Sequence, residues 1–208
     1  MVATPFDQQA KIALVRRLIY RKSLVPLPAS AEREELHLRQ IEMKGYQRKD
    51  GLFDIEGRVV DTKSASFVGQ RNMKMVPAGH PIHDLSIRLV VDENLLIVEA
   101  IASSDATPFA VCKEATAALS TLVGERIGSG WTKLVRERLK GSKGCTHLME
   151  LLGPMATTAM QALWPLNSTK PIPVDANGRP LKVDSCYAYS SERVVVQQLW
   201  PEHYTGPK

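Results

Sequence analysis

No stretch of the chain reaches the ~18 consecutive apolar residues that a membrane-spanning helix needs, so a membrane span is not expected. The start of the chain also lacks the 7–15-residue apolar core of a secretory leader. There "KIALVRRLIYRK" breaks its hydrophobics with charges, and a cytoplasmic protein is the expectation. Cysteine is scarce: Cys112, Cys145 and Cys186 are an odd number, far apart. That is poor material for a disulfide framework and suits a reducing compartment, where thiols pack, bind metal or react. Phosphate-cradling GxxxxGK[ST], strand-linked GxGxxG and GxSxG are all missing, which leaves nucleotide binding and serine-elbow hydrolysis without support. "GSGW" at Gly128–Trp131 reads as a loop opening a helix.

What little net charge there is sits in one place. The chain carries +5, but Lys11, Arg16, Arg17, Arg21 and Lys22 against Asp7 put +4 of it in residues 1–29. The remainder is nearly neutral and has no basic stripe with interleaved aromatics, so nucleic acid is not expected as a partner. Residues 7–22 space Ile12, Leu14, Val15, Leu18 and Ile19 helically, with cations on the other face. "LVPLPAS" then reads as a stiff linker. The expected organisation is a basic helical arm and linker over 1–29, joining subunits into a homo-oligomer, and a single domain over 30–208.

Strand signals open that domain. "LHLRQIEMKGYQ", the turn "RKDG" and "LFDIEGRVVDTK" make a hairpin, with Phe53, Ile55 and Val59 on one face and Asp54, Glu56 and Arg58 on the other. Residues 64–82 form a Gly/Pro/Ser-containing loop. "HDLSIRLVV" places Leu85, Ile87, Leu89 and Val91 inward and Asp84, Ser86 and Arg88 outward, and "LLIVEAIASS" returns after the turn "DEN". After Pro108 the period changes from two to about 3.6. Three helices follow between residues 109 and 164, the third kinked or restarted at Pro154. A short strand, "ERVVVQQLW", closes the chain. The pattern implies an α+β fold: an antiparallel sheet of four or more strands over about 36–105, covered on one face by three helices.

The chemistry-bearing residues fall at element ends. His83 and Asp84 begin the third long strand, Cys112 the first helix, and Cys145 and His147 the last, where a helix start favours a thiolate. Thiolate, imidazole and carboxylate form a ligand set for one zinc or iron ion, so Asp84, Cys112, Cys145 and His83 are the candidate metal ligands. Without metal, His83, Asp84 and His147 are the candidate acid–base residues. The plainer reading of a free cysteine is a small buried hydrophobe, and of His37, His80 and His203 a surface, loop or turn residue. Tyr46, Asp50, Asp61 and Lys63 flank the hairpin, where turn chemistry and solvated pairs compete with substrate contact; Tyr46 is the candidate substrate-binding residue.

"RKDGLFDIEGRVVDTK", "HDLSIRLVVDENLLI", "GCTHLMELLGPMATTA" and "WPEHYTG" together resemble the bacterial family called domain of unknown function 2889, over about residues 35–206. That resemblance implies no activity, only a context, bacteria that degrade aromatic or steroidal compounds. A fainter likeness is to the NifU-type iron–sulfur scaffold, whose aspartate falls on Asp84 and whose second and third cysteines fall near Cys112 and on Cys145. The scaffold's first cysteine falls on Ile82, with His83 as the nearby substitute. The expected function is a lyase or hydratase-like acid–base catalyst acting on a small apolar or aromatic catabolite, with or without a bound metal. The alternatives are a non-catalytic metal or iron–sulfur carrier and an oligomeric binding module.

Overall fold

The computed structural model describes residues 29–69, 75–168 and 170–207. The helix expected over residues 7–22, with its role in joining subunits, lies outside the described residues. Residues 29–35 are exposed and irregular, and the unit Leu36–Lys208 carries the features below.

The period-two segments pair as the alternation implies. Strands β1 (His37–Gln47), β2 (Phe53–Lys63), β5 (His83–Val91) and β6 (Ile97–Ala106) form an antiparallel sheet in the order β1-β2-β5-β6. Asp50-Gly51 turns the first hairpin, with Gly51 at φ +88°, a conformation that glycine adopts without penalty. At the other turn the Asp92 carboxylate accepts the amides of Asn94 and Leu96, both at 2.8 Å. The excursion between β2 and β5 is more than a loop, because β3 (Phe67–Val68) and β4 (Met75–Val76) pair within it.

Helical segments cover one face of the sheet. Ala110–Leu122, expected as an α-helix, is wound as a 3-10 helix. The hydroxyls of Thr116, Ser120 and Thr121 donate to carbonyls three residues back, as that tighter turn allows. Helix α1 (Trp131–Leu139) follows, and then α2 (Thr146–Ala162), which runs through Pro154 as one element rather than restarting there. The Trp131 indole N–H donates to the Leu152 carbonyl at 2.9 Å and ties α1 to α2. A short turn of helix, α3 (Trp164–Asn167), ends this layer. The C-terminal strand expected from "ERVVVQQLW" is instead a helix, α4 (Val194–Leu199). Its β-branched residues meet no strand partner, and only Val196 is buried, so packing overrides local β preference.

Helix α2 seats closely because the sheet is thinned beneath it. A Cβ at Gly45 would stand 2.7 Å from the Ala162 Cβ, and one at Gly57 would stand 2.9 Å from the Met155 sulfur. The core between the layers includes the fully buried Ile55, Leu85, Leu89, Leu148, Leu151, Leu152 and Met155. Each such side chain contributes about 1.5–3 kcal/mol by leaving water. This packing fixes α2 against one end of the sheet, where the polar residues collect.

Candidate functional site

Strand pairing sets three polar residues side by side. Asp61 in β2 is the register partner of Arg39 in β1 and of His83 in β5. All three lie on the helix-covered face: Asp61 continues the alternation of Phe53, Ile55 and Val59, and His83 that of Leu85, Ile87 and Leu89. The Asp61 side chain is only 1% exposed. A carboxylate so buried requires partners, and it has four contacts from three residues. Arg39 donates bidentately, Nε to Oδ1 at 2.7 Å and Nη2 to Oδ2 at 2.8 Å. His37 Nε2 reaches Oδ1 at 3.2 Å, and His83 Nδ1 reaches Oδ2 at 3.1 Å. The third nitrogen of the Arg39 fork donates to Glu150 on α2 at 2.7 Å, which locks the group to the helix layer.

These contacts fix protonation. The hydrogen bonds from Arg39 hold the Asp61 carboxyl below the ordinary aspartate range; burial opposes this, and the charge of Arg39 reinforces it. An ionised carboxylate only accepts hydrogen bonds. The proton of neutral His83 therefore sits on Nδ1, and Nε2 carries the lone pair. Burial pushes the His83 pKa down, the neighbouring His147 pushes it further, and Asp61 acts against both. Near neutral pH His83 is an oriented, uncharged imidazole.

His147 completes the cluster from α2. Its ring lies 3.8 Å from that of His83, centroid to centroid, tilted by 31°. Its Nδ1 lies 3.9 Å from the Cys145 sulfur at the N-cap of the helix. His83, His147, Cys145 and Cys112 line one cavity of about 340 Å³, whose apolar walls include Leu85 and Phe109. Among the described residues no Lys, Arg, Asp or Glu lines it. Asp61, His83 and His147 also present ligand atoms within 4.8 Å of one another. Each Asp61 oxygen already accepts two hydrogen bonds, however, so the carboxylate serves as the partner of His83. Among the described residues neither thiol joins that group, so the donors left for an ion are His83 Nε2 and His147.

The expected site residues thus divide. His83, His147, Cys112 and Cys145 come together in one cavity. Asp84 does not join them. Successive strand residues point to opposite faces, and Asp84 lies on the open face, held by Arg58 through Nε–Oδ1 at 2.8 Å and Nη2–Oδ2 at 2.6 Å. A ligand set that includes both Asp84 and the two cysteines would have to cross the sheet. Tyr46 is half-exposed on that open face too, and seven residues of strand, about 24 Å, separate it from Arg39. Asp61, expected in turn chemistry or a solvated pair, is the buried anchor of the cluster, and His37 contacts it. Arg39 was not singled out by sequence at all, since its role depends on a strand register.

A second concavity, of about 400 Å³, lies on the open face of the sheet. Its charges are engaged with one another or with near neighbours, Arg88 with Glu56 and Arg58 with Asp84, so the titratable cluster is confined to the covered side. No curated protein and no solved structure matches the chain. A family model described as "Protein of unknown function (DUF2889)" matches residues 37–161, the stretch from the first residue of β1 to the last turn of α2 that supplies every residue of the cluster. With more than half of its length matched, the chain belongs to the DUF2889 family.

Proposed function

We propose that the protein is an acid–base enzyme of lyase or hydratase type, acting on a small apolar or aromatic molecule. The observation that carries this reading is the 3.1 Å contact between His83 Nδ1 and a buried Asp61 carboxylate that Arg39 anchors. It leaves His83 Nε2 as an oriented base on the wall of an otherwise mainly apolar cavity. An imidazole whose pKa is lowered from the ordinary histidine value is ready to take a proton near neutral pH, and a positioned base of this kind contributes roughly 10²–10⁴-fold in rate. Asp61 holds the tautomer and stabilises the imidazolium that forms. His147, stacked on His83, is placed to return a proton or to hold a developing negative charge. The cavity volume is at the lower end of small-molecule sites, roughly 300–1,000 Å³, and its uncharged lining favours a neutral substrate.

The test is proton exchange. Tag-free protein is incubated in D₂O with a panel of aryl ketones, aryl aldehydes and aryl alkenes, and loss of carbon-bound protons is followed by NMR. At least one compound should exchange or turn over, and His83→Gln should lower that rate by about a hundredfold or more with circular dichroism unchanged. A His83→Gln protein as active as the wild type sinks the proposal. So does a stoichiometric zinc or iron ion in protein that processes none of the panel, which would favour a metal carrier.

A further inference from the structure

We infer that the same cavity holds a second reactive centre: the Cys145 thiol, worked by His147, adds reversibly to the β-carbon of a small, neutral α,β-unsaturated carbonyl compound. Cys145 and His147 both line the cavity, with sulfur and Nδ1 3.9 Å apart. Thiol and imidazole at this separation form a nucleophile and its base. Cys145 also precedes the 17-residue helix α2, whose first intrahelical bond runs from Met149 N–H to the Cys145 carbonyl. The amides of Thr146, His147 and Leu148 precede that bond, and the Cys145 side chain does not cap them. They lie within one turn of the sulfur, where negative charge develops as the thiol reacts.

The surroundings choose the electrophile. Sulfur prefers soft, polarised carbon, and the β-carbon of a conjugated carbonyl is such a centre. Among the described residues no Lys or Arg lines the cavity to receive a phosphate or a carboxylate, and Leu85 and Phe109 offer an apolar wall for a hydrocarbon or ring. In the step itself the thiol proton passes to His147 Nδ1 while sulfur bonds to the β-carbon. The alkene π pair becomes the enolate, whose α-carbon then takes the proton back from His147. The net change is addition of S–H across one C=C bond, and the reverse elimination restores both partners. No oxidant or other reactant enters. This centre uses residues other than Asp61 and His83, so it stands or falls apart from the dyad.

Full-length protein treated with limiting N-ethylmaleimide, and separately with 4-phenylbut-3-en-2-one, reads this out by intact mass and peptide mapping. Cys145, although half-buried, should be modified before the exposed Cys186, a comparison within the wild-type chain that needs no variant. His147→Asn should slow labelling of Cys145 by about a hundredfold and leave Cys186 as fast as before. Asp61→Asn should slow proton exchange yet label Cys145 at the wild-type rate, which separates this centre from the dyad. Labelling of Cys186 ahead of Cys145, or a His147→Asn protein that labels Cys145 as fast as the wild type, overturns the inference.

Discussion

The two faces of the sheet use the same residue types to different ends. On the covered face Arg39 meets Asp61 under helix α2, with the carboxylate 1% exposed. On the open face Arg88 meets Glu56 with side chains 48% and 34% exposed, and Arg58, half-exposed, meets an Asp84 side chain that is 12% exposed. Bond lengths hardly distinguish the pairs, at 2.6–2.8 Å throughout. Solvent does. A pair in water gains little, because water solvates each partner alone almost as well. A carboxylate out of water depends on its partners and passes that dependence on to whatever else it touches, here His83. Burial turns an ordinary ion pair into a device for orienting a base.

The largest expected effect tests that difference directly. Arg39→Met leaves Asp61 buried with, among the described residues, His37 and His83 as its remaining partners and should cost about 3 kcal/mol, the low end for removing one partner of a buried pair, since Arg39 keeps a third of its side chain in solvent. Arg88→Met, whose partner Glu56 is a third exposed on the open face, should cost under about 1 kcal/mol. Urea denaturation of the two variants gives the comparison, and equal losses would break it. Gly45→Ala comes next. The added methyl meets the Ala162 Cβ rather than a flexible chain end, so about 1–3 kcal/mol of overpacking is expected. A thermal melt checks it.

Smaller shifts should appear in pH dependence. Because burial and His147 depress His83, with Arg39 adding to them and Asp61 opposing, the acid limb of kcat/KM should lie below the ordinary value of about 6.5. Asp61→Asn removes the opposing charge and should move the limb lower, while His147→Asn should move it higher. The sign for stability follows from the same depression. The unfolded chain takes up the His83 proton first, so stability falls as pH drops from about 6.5 toward the folded pKa, and it is unaffected by His83 above that window. The smallest effect belongs to Asp84→Asn, which should leave both kcat and the pH limb unchanged. A loss of turnover there would bring the open face into the chemistry.

Much of this was legible in the residues. Alternation from Leu85 back to the start of β5 sets His83 inward and Asp84 outward, and alternation from Val59 onward sets Asp61 inward. The same period that located the sheet therefore separated the two neighbours, although their adjacency made them look like one unit. Asp61 was obscured by its polarity, which in a hairpin usually signals solvent. Arg39 could not be read at all, since nothing local says which residue of β1 stands opposite Asp61. Cys145 and His147 were readable because both belong to one helix start. The C-terminal "VVV" misled because β-branching reports a preference that only a neighbouring strand can satisfy. Likewise, helical spacing in 110–122 does not distinguish a 3-10 from an α winding.

The excursion between β2 and β5 begins three residues after Asp61 and ends just before His83. Its two ends are fastened to each other: Ile82 N–H donates to the Asp61 carbonyl at 2.8 Å, and Gly79 N–H to the Lys63 carbonyl at 2.9 Å. Once a loop is closed at its base, doubling its length costs only about 0.6 kcal/mol. Insertions and deletions there can accumulate with little thermodynamic penalty while the base of the loop keeps the carboxylate and imidazole in place. That makes the excursion a natural region for evolutionary change, in which descendants of this chain can lengthen or shorten the connection without rebuilding the pair that handles the proton.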